Sequence, residues 1–202
     1  MRRELVDHHH RQRILAGAAA AIAERGYRQV TVAHIVKSAA VGRARFYNTF
    51  SSKEDCFLAL YDATTAAALA AAEAACAEVD GDFPARLEAS LRGLLSYLEA
   101  EPAAARACIV EGPEAGAALN ERFEGVIHDF AALLRRGRGK GAKGELPETV
   151  EETVVGGLYW LLYCAILDAE PKRLGDLLPQ LTEFAAIPFL GSEAARGTIA
   201  AG

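Results

Sequence analysis

Between Ile14 and Arg25 the chain runs through Ala, Ile and Leu and then meets Gly26, a natural left-handed cap, so the pattern predicts a first helix over 14–25. A second starts at Thr31, whose hydroxyl can accept from the free backbone N–H groups of a short helix with Val32, Ile35 and Val36 on its apolar face. A turn follows at Ala39-Ala40-Val41-Gly42. Next comes a third short helix, Arg43 to Thr49, which presents Arg43, Arg45 and Asn48 while Phe46 and Phe50 point inward. Ser51-Ser52-Lys53-Glu54 reads as a capping box, Ser51 or Ser52 capping and Glu54 or Asp55 answering, and it opens a long Ala-rich fourth helix.

Further along, Leu87, Leu91, Leu94, Leu95 and Leu98 recur at helical spacing until Glu101-Pro102 interrupts them. Leu119, Phe123, Val126, Ile127, Phe130, Leu133 and Leu134 make another stripe. Gly137 to Pro147 has the composition of a loop, and its Gly-Lys elements lack the spacing of a phosphate-binding loop. Two last helices are expected over 148–169 and 174–190, with more apolar surface than a single core consumes. A twofold interface closing them into a four-helix bundle would use that excess, and Gly156-Gly157 would permit close backbone approach.

Strand-like runs are scarce and about half the 202 residues are apolar, so the fold class is all-α. The longest uncharged stretch, Thr153 to Leu167, is short for a membrane span and suits a doubly buried helix. No signal-peptide core precedes it, and a cytoplasmic location without membrane contact is expected. Cys56, Cys76, Cys108 and Cys164 stand singly, as reduced and mostly buried thiols would. His8-His9-His10 is read as part of a solvated basic arm rather than a helical metal site, and His128 as an ordinary surface or hydrogen-bonded residue. No metal, cofactor or catalytic residue is expected, because nucleophile elbow, metal-spaced His/Glu set and nucleotide fingerprint are all missing from the sequence.

Charge changes the picture. The formal total is −5, yet residues 1–53 hold ten Lys/Arg against three acids, and the remainder twelve against twenty-four. A basic head on an acidic body suits a protein whose head alone meets a polyanion, although a merely solvated surface would also be charged. Two short helices joined by a tight turn form a helix-turn-helix. A helix fits the major groove, and Arg43 and Arg45 on its first turn can each donate two hydrogen bonds to guanine O6 and N7. Tyr47 and Lys53 are placed to grip phosphates, as are Thr31 and the N–H groups behind it.

RILAGAAAAIAERGY, TVAHIVKSAAVG, RFYNTF and SSKE, in that order and spacing, resemble the DNA-binding region of the TetR (tetracycline-repressor) family over about Arg11 to Leu58. The family turn usually reads Ala-Gly-Val-Ser, so Ala40 stands where its glycine is usual and Gly42 where its serine caps the reading helix. Thr49 replaces a frequent His or Tyr, and Arg45 takes a position usually small or hydroxylated. The resemblance implies a head over 1–53, with three helices and a basic N-terminal arm, that contacts an operator through Thr31, Gly42, Arg43, Ala44, Arg45, Tyr47, Asn48 and Lys53. It implies a ligand-binding, dimerising helical body over 54–202 and about nine helices in all. The expected protein is a homodimeric regulator, of repressor type, released from a palindromic double-stranded DNA operator by a small hydrophobic effector. Tyr97, Cys108, Phe123, Trp160, Tyr163 and Cys164 are the candidate lining of the effector pocket, Trp160 having the dimer seam as its other possible place. The rival reading is a small-molecule-binding or interaction module with a weakened DNA head.

Overall fold

A computed structural model describes residues 2–138, 146–147, 149–168, 173–191 and 195, with side chains from Val6 onward. Among these residues there are nine α-helices and no strand: α1 Arg2–Arg25, α2 Val32–Ser38, α3 Arg43–Tyr47, α4 Lys53–Ala77, α5 Phe83–Ala100, α6 Pro102–Ala105, α7 Ala117–Arg138, α8 Thr149–Leu167 and α9 Leu178–Leu190. A π turn over Arg106–Val110 and 3-10 turns over Gly112–Ala115 and Leu174–Leu177 complete the path. The expected loop from Gly137 onward lies largely outside the described residues. The expected all-α class and helix number match this architecture.

The chain divides into two compact units, Met1–Thr65 with Glu101–Glu121, and Ala66–Ala100 with Arg122–Gly202. In the first, α1 crosses α2, and Ile14, Ile22, Ile35, Phe46 and Phe57 are all but completely buried. Removing each such side chain from water stabilises the fold by about 1.5–3 kcal/mol. The crossing is close because Gly17 has no side chain: a Cβ there would stand 2.5 Å from the Ala39 nitrogen. Gly26, at φ +80°, turns the chain out of α1. The Tyr27 N–H then donates to Glu111 Oε2 at 3.0 Å, tying this turn to a residue 84 positions away.

Helix α1 begins twelve residues earlier than the Ala-rich run suggests. Residues 2–13 contain no Gly or Pro and several good helix formers, so nothing stops the helix from extending outward. His8, His9 and His10 therefore stand on a helix and not in an unstructured arm. The reading helix α3 is correspondingly shorter than expected, ending at Tyr47 with Asn48 as its cap. At the start of α4 the Asp55 N–H donates to Ser52 Oγ at 3.0 Å, while Asp55 Oδ2 accepts from the Ser51 N–H and hydroxyl. Ser52 and Asp55 are thus the capping pair.

In the second unit Leu87, Leu91, Leu95 and Leu98 bury one face of α5 against α9 and the turn that precedes it. Gly93 lets α4 and α5 touch, since a Cβ would meet the Ala71 carbonyl oxygen at 2.5 Å. Gly157 makes room for the Phe184 ring, 2.4 Å from where its Cβ would lie. Glu151, 1% exposed, accepts from Arg138 Nη2 at 2.8 Å and has Arg135 Nε at 3.9 Å.

Candidate nucleic-acid interface

The interface is built on one buried ring. Phe46 has no exposed surface and packs against Phe50 at 5.9 Å between ring centres, which fixes the rotation of α3 about its axis. With Phe46 turned inward, Arg43, Ala44, Arg45 and Tyr47 are all exposed, as is Asn48 at the cap. Gly42 is the N-cap in extended conformation, its carbonyl accepting from the Arg45 and Phe46 N–H groups at 3.0 and 3.2 Å. Tyr47 keeps 55% of its surface in solvent and meets Phe46 edge-on.

The turn that aims α3 carries strain. Ala40, at φ +51°, is the one non-glycine residue in the left-handed region among those described. That conformation costs a residue with a Cβ about 1–2 kcal/mol. Arg13 offsets it, donating through Nη2 to the Ala39 carbonyl at 3.0 Å and the Ala40 carbonyl at 2.8 Å. At the head of α2, Thr31 is exposed, and its N–H donates to His34 Nδ1 at 3.3 Å. The His34 N–H in turn donates to the Thr31 carbonyl at 3.0 Å.

The head's cations are not all equally available. Lys53 donates to the Tyr27 carbonyl at 3.0 Å and lies 4.2 Å from the Tyr27 ring centre, so it braces the Gly26 turn. Arg11 rests 4.9 Å from the Phe50 ring centre, Arg25 pairs with Glu24, and Arg28 pairs with Glu114. Arg45 faces Asp7 across 3.5 Å. The Arg43 side chain, by contrast, makes no hydrogen bond or ion pair among the described residues. Sequence reading did not find Arg13, Asp7 or Glu111 as partners, because each acts across 26 to 84 residues of chain.

The six residues expected to line an effector pocket are divided between the two units. Cys108 sits 3% exposed in the first unit, where burial pushes its thiol up to about 12 against a smaller opposing effect of the Thr64 hydrogen bond. The other five belong to the second unit. Tyr97 is half-buried on α5, and Phe123 meets Tyr159 edge-on at 4.9 Å where α7 faces α8. Trp160 stacks on Tyr163 at 5.5 Å and is 61% exposed, with Cys164 also exposed. Spacing put Trp160, Tyr163 and Cys164 on one face, and on that face Trp160 and Cys164 are exposed in the single chain while Tyr163 is half-buried.

Helix α8 is long and apolar enough to cross a membrane by length and composition, and Glu151, Val154, Val155 and Leu162 on it are buried. Glu151 in its first turn is enclosed with Arg138 and Arg135, a pairing that belongs to a folded core rather than to lipid.

Residues 14–60 match the family described as bacterial regulatory proteins, tetR family. No curated protein matches the chain. In fold it is similar to the fatty acid degradation regulator FadR from Bacillus halodurans, with TM-score 0.76 at 22% identity over 87% of this chain and 94% of that one. It is similar also to the transcriptional regulator FadR from Bacillus subtilis in complex with stearoyl-CoA, with TM-score 0.74 at 22% identity over 86% and 96%. A third is the TetR-family regulator PfmR from Thermus thermophilus, with TM-score 0.65 at 22% identity over 85% and 96%. Residues 14–60 thus carry the helix-turn-helix region of the family described as bacterial regulatory proteins, tetR family, and the helices of the chain follow the fold of these regulators.

Proposed function

We propose that the protein is a cytoplasmic, homodimeric transcriptional repressor that binds a palindromic operator through α3 and leaves it when a small hydrophobic molecule occupies the helical body. The observation that carries this reading is the exposed row of Arg43, Ala44, Arg45, Tyr47 and Asn48 on a helix locked by Phe46. Arg43 and Arg45 read bases, while Thr31, Gly42, Tyr47 and Lys53 set the register on the phosphates. Residues 1–53 form the reading head and 54–202 the effector and dimer body.

The dimer is supported by α8 and α9, whose Trp160, Leu167, Phe184 and Ile187 are exposed apolar groups on neighbouring helices. A twofold axis there pairs these groups with their copies and presents two heads to a symmetric site. Trp160, Tyr163 and Cys164 then belong to the seam. The effector class is supported by the apolar composition of α8 and by the stearoyl-CoA bound to the similar Bacillus subtilis regulator. Occupancy favours a dimer state in which the heads no longer match successive grooves. The rival reading rests on Ala40 and Gly42, yet the turn closes around Ala40 under Arg13 and Gly42 caps α3, so these departures do not argue for a weakened head.

Selection from a randomised duplex library, followed by gel shift at rising salt, tests the reading. The expected result is an inverted-repeat consensus bound by a species of twice 21.5 kDa in light scattering. Retention of all sequences alike by a monomer would sink it.

A further inference from the structure

Because α1 extends to Arg2, its outer turns lie beside the reading helix, and the two frame an open groove of about 580 Å³ lined by Asp7, His8, Arg11, Arg45, Asn48 and Thr49. Five of these six residues are donors or cations suited to DNA. Asp7 is the exception, an acid placed where a polyanion would approach. Its Oδ1 lies 3.5 Å from Arg45 Nη1, and both side chains stay about half exposed. The Arg45 carbonyl also accepts from Thr49 Oγ1 at 3.0 Å, which holds the backbone behind the guanidinium. Arg11, one turn beyond Asp7 on α1, is directed to the Phe50 ring and leaves the carboxylate to Arg45.

From this geometry we propose that Asp7 is a specificity-determining positioning residue: from α1 it braces Arg45 so that the guanidinium presents its free edge to a guanine and is not captured by a phosphate. The inference rests on the DNA-binding function proposed above. A guanidinium has five N–H donors in a fixed fork. With one donor of Nη1 facing Asp7, the remaining edge still offers two parallel donors, the pattern that guanine O6 and N7 accept. A long side chain already confined loses less rotamer entropy on binding. The carboxylate also repels phosphate at this point, which weakens binding to every sequence and penalises any pose in which Arg45 contacts backbone alone. Asp7 therefore trades general affinity for selectivity.

The test measures anisotropy of labelled duplexes: the winner of the library selection, and the same duplex with the guanine·cytosine pair read by Arg45 reversed. Asp7→Ala, the isosteric Asp7→Asn, Arg45→Ala and the double variant are compared, with thermal unfolding confirming an intact head. The expected result is that Asp7→Ala and Asp7→Asn each lose roughly three- to tenfold of the discrimination between the two duplexes, while Asp7→Ala tightens binding to unrelated DNA. In the Arg45→Ala background Asp7→Ala should change discrimination no further. If removing Asp7 tightens all duplexes equally and leaves discrimination intact, the carboxylate is only a repulsive charge and the proposal falls while the regulator reading stands. A wild-type protein that prefers neither duplex nor any selected sequence overturns both.

Discussion

The head and the body of this protein each leave a surface unfinished, and they do so in opposite ways. Around α3 the large exposed groups are Arg43, Arg45 and Tyr47, over an interior closed by Phe46, Phe50 and Phe57. Along α8 and α9 the exposed groups are Trp160, Leu167, Phe184 and Ile187, apolar and on adjacent helices. Polar groups in water are already solvated, so the first surface is stable alone and merely attracts a polyanion. Apolar area in water is unfavourable by about 25 cal/mol per Å², so the second gains stability from any protein face that covers it. One surface is completed by charge and the other by burial, which makes them separable by mutation.

The sharpest separation comes from placing charge in the apolar face. Trp160→Glu combined with Phe184→Glu is expected to convert the dimer to a monomer in light scattering. Losing the second head should weaken operator binding by roughly a hundredfold or more, while the circular dichroism spectrum stays helical. A variant that remains dimeric would move the seam away from α8 and α9. The converse change, Arg43→Ala, should cost about 1–3 kcal/mol on the selected operator and relax base preference, with the dimer mass unchanged. Lys53→Ala should weaken all sequences alike and, because Lys53 also braces the Tyr27 carbonyl, lower the melting temperature of the head. Both surfaces would prove coupled if Arg43→Ala altered assembly.

A smaller effect tests whether the head's departure from its family turn is strain alone. Ala40→Gly should raise stability by about 1 kcal/mol, read as a higher denaturant midpoint, because glycine adopts φ +51° without a Cβ clash. A loss of stability would mean that the Ala40 methyl makes a contact worth more than the strain.

The smallest effect is chemical. Cys164 is exposed beside Trp160, whereas Cys56, Cys76 and Cys108 are buried. Burial pushes Cys56 to about 12, with Asp55 adding to and Arg11 opposing the shift, and pushes Cys108 to about 12. Both folded values lie above the ordinary thiol value of 9.0, so their contribution to stability is complete below that pH and is lost as pH rises from there towards 12. At neutral pH a thiol reagent should therefore modify Cys164 first, and more slowly as protein concentration drives the seam together. Labelling at an unchanged rate across the dimerisation range would take Cys164 out of the seam.

Much of the head was legible in advance because its signals are local. The Gly26 stop, the Ser52 cap and the inward Phe46 and Phe50 each depend on neighbours within a turn or two, which is the range over which sequence spacing fixes geometry. The extension of α1 back to Arg2 was missed for the complementary reason: a polar helix without an apolar stripe leaves no periodic mark. In the body, α8 is apolar nearly all round, so its pattern announces a helix yet names no inner face. Spacing left Trp160 open to a pocket or a seam, and its exposure is what the tertiary structure adds.

What the sequence by itself determined is the core of most helices, the helix-turn-helix and the residues that α3 leaves exposed, since a 3.6-residue period, caps and glycine stops are written in adjacent positions. Only the tertiary structure decided that Arg13 straps the strained Ala40 turn, that Glu111 holds the Tyr27 N–H, that Asp7 faces Arg45, and that Trp160 looks outward. Each of the first three joins residues 26 to 84 positions apart, and the last depends on which helices cover α8. Such contacts follow from how whole helices pack, a choice made by the summed burial of many side chains and written at no single position.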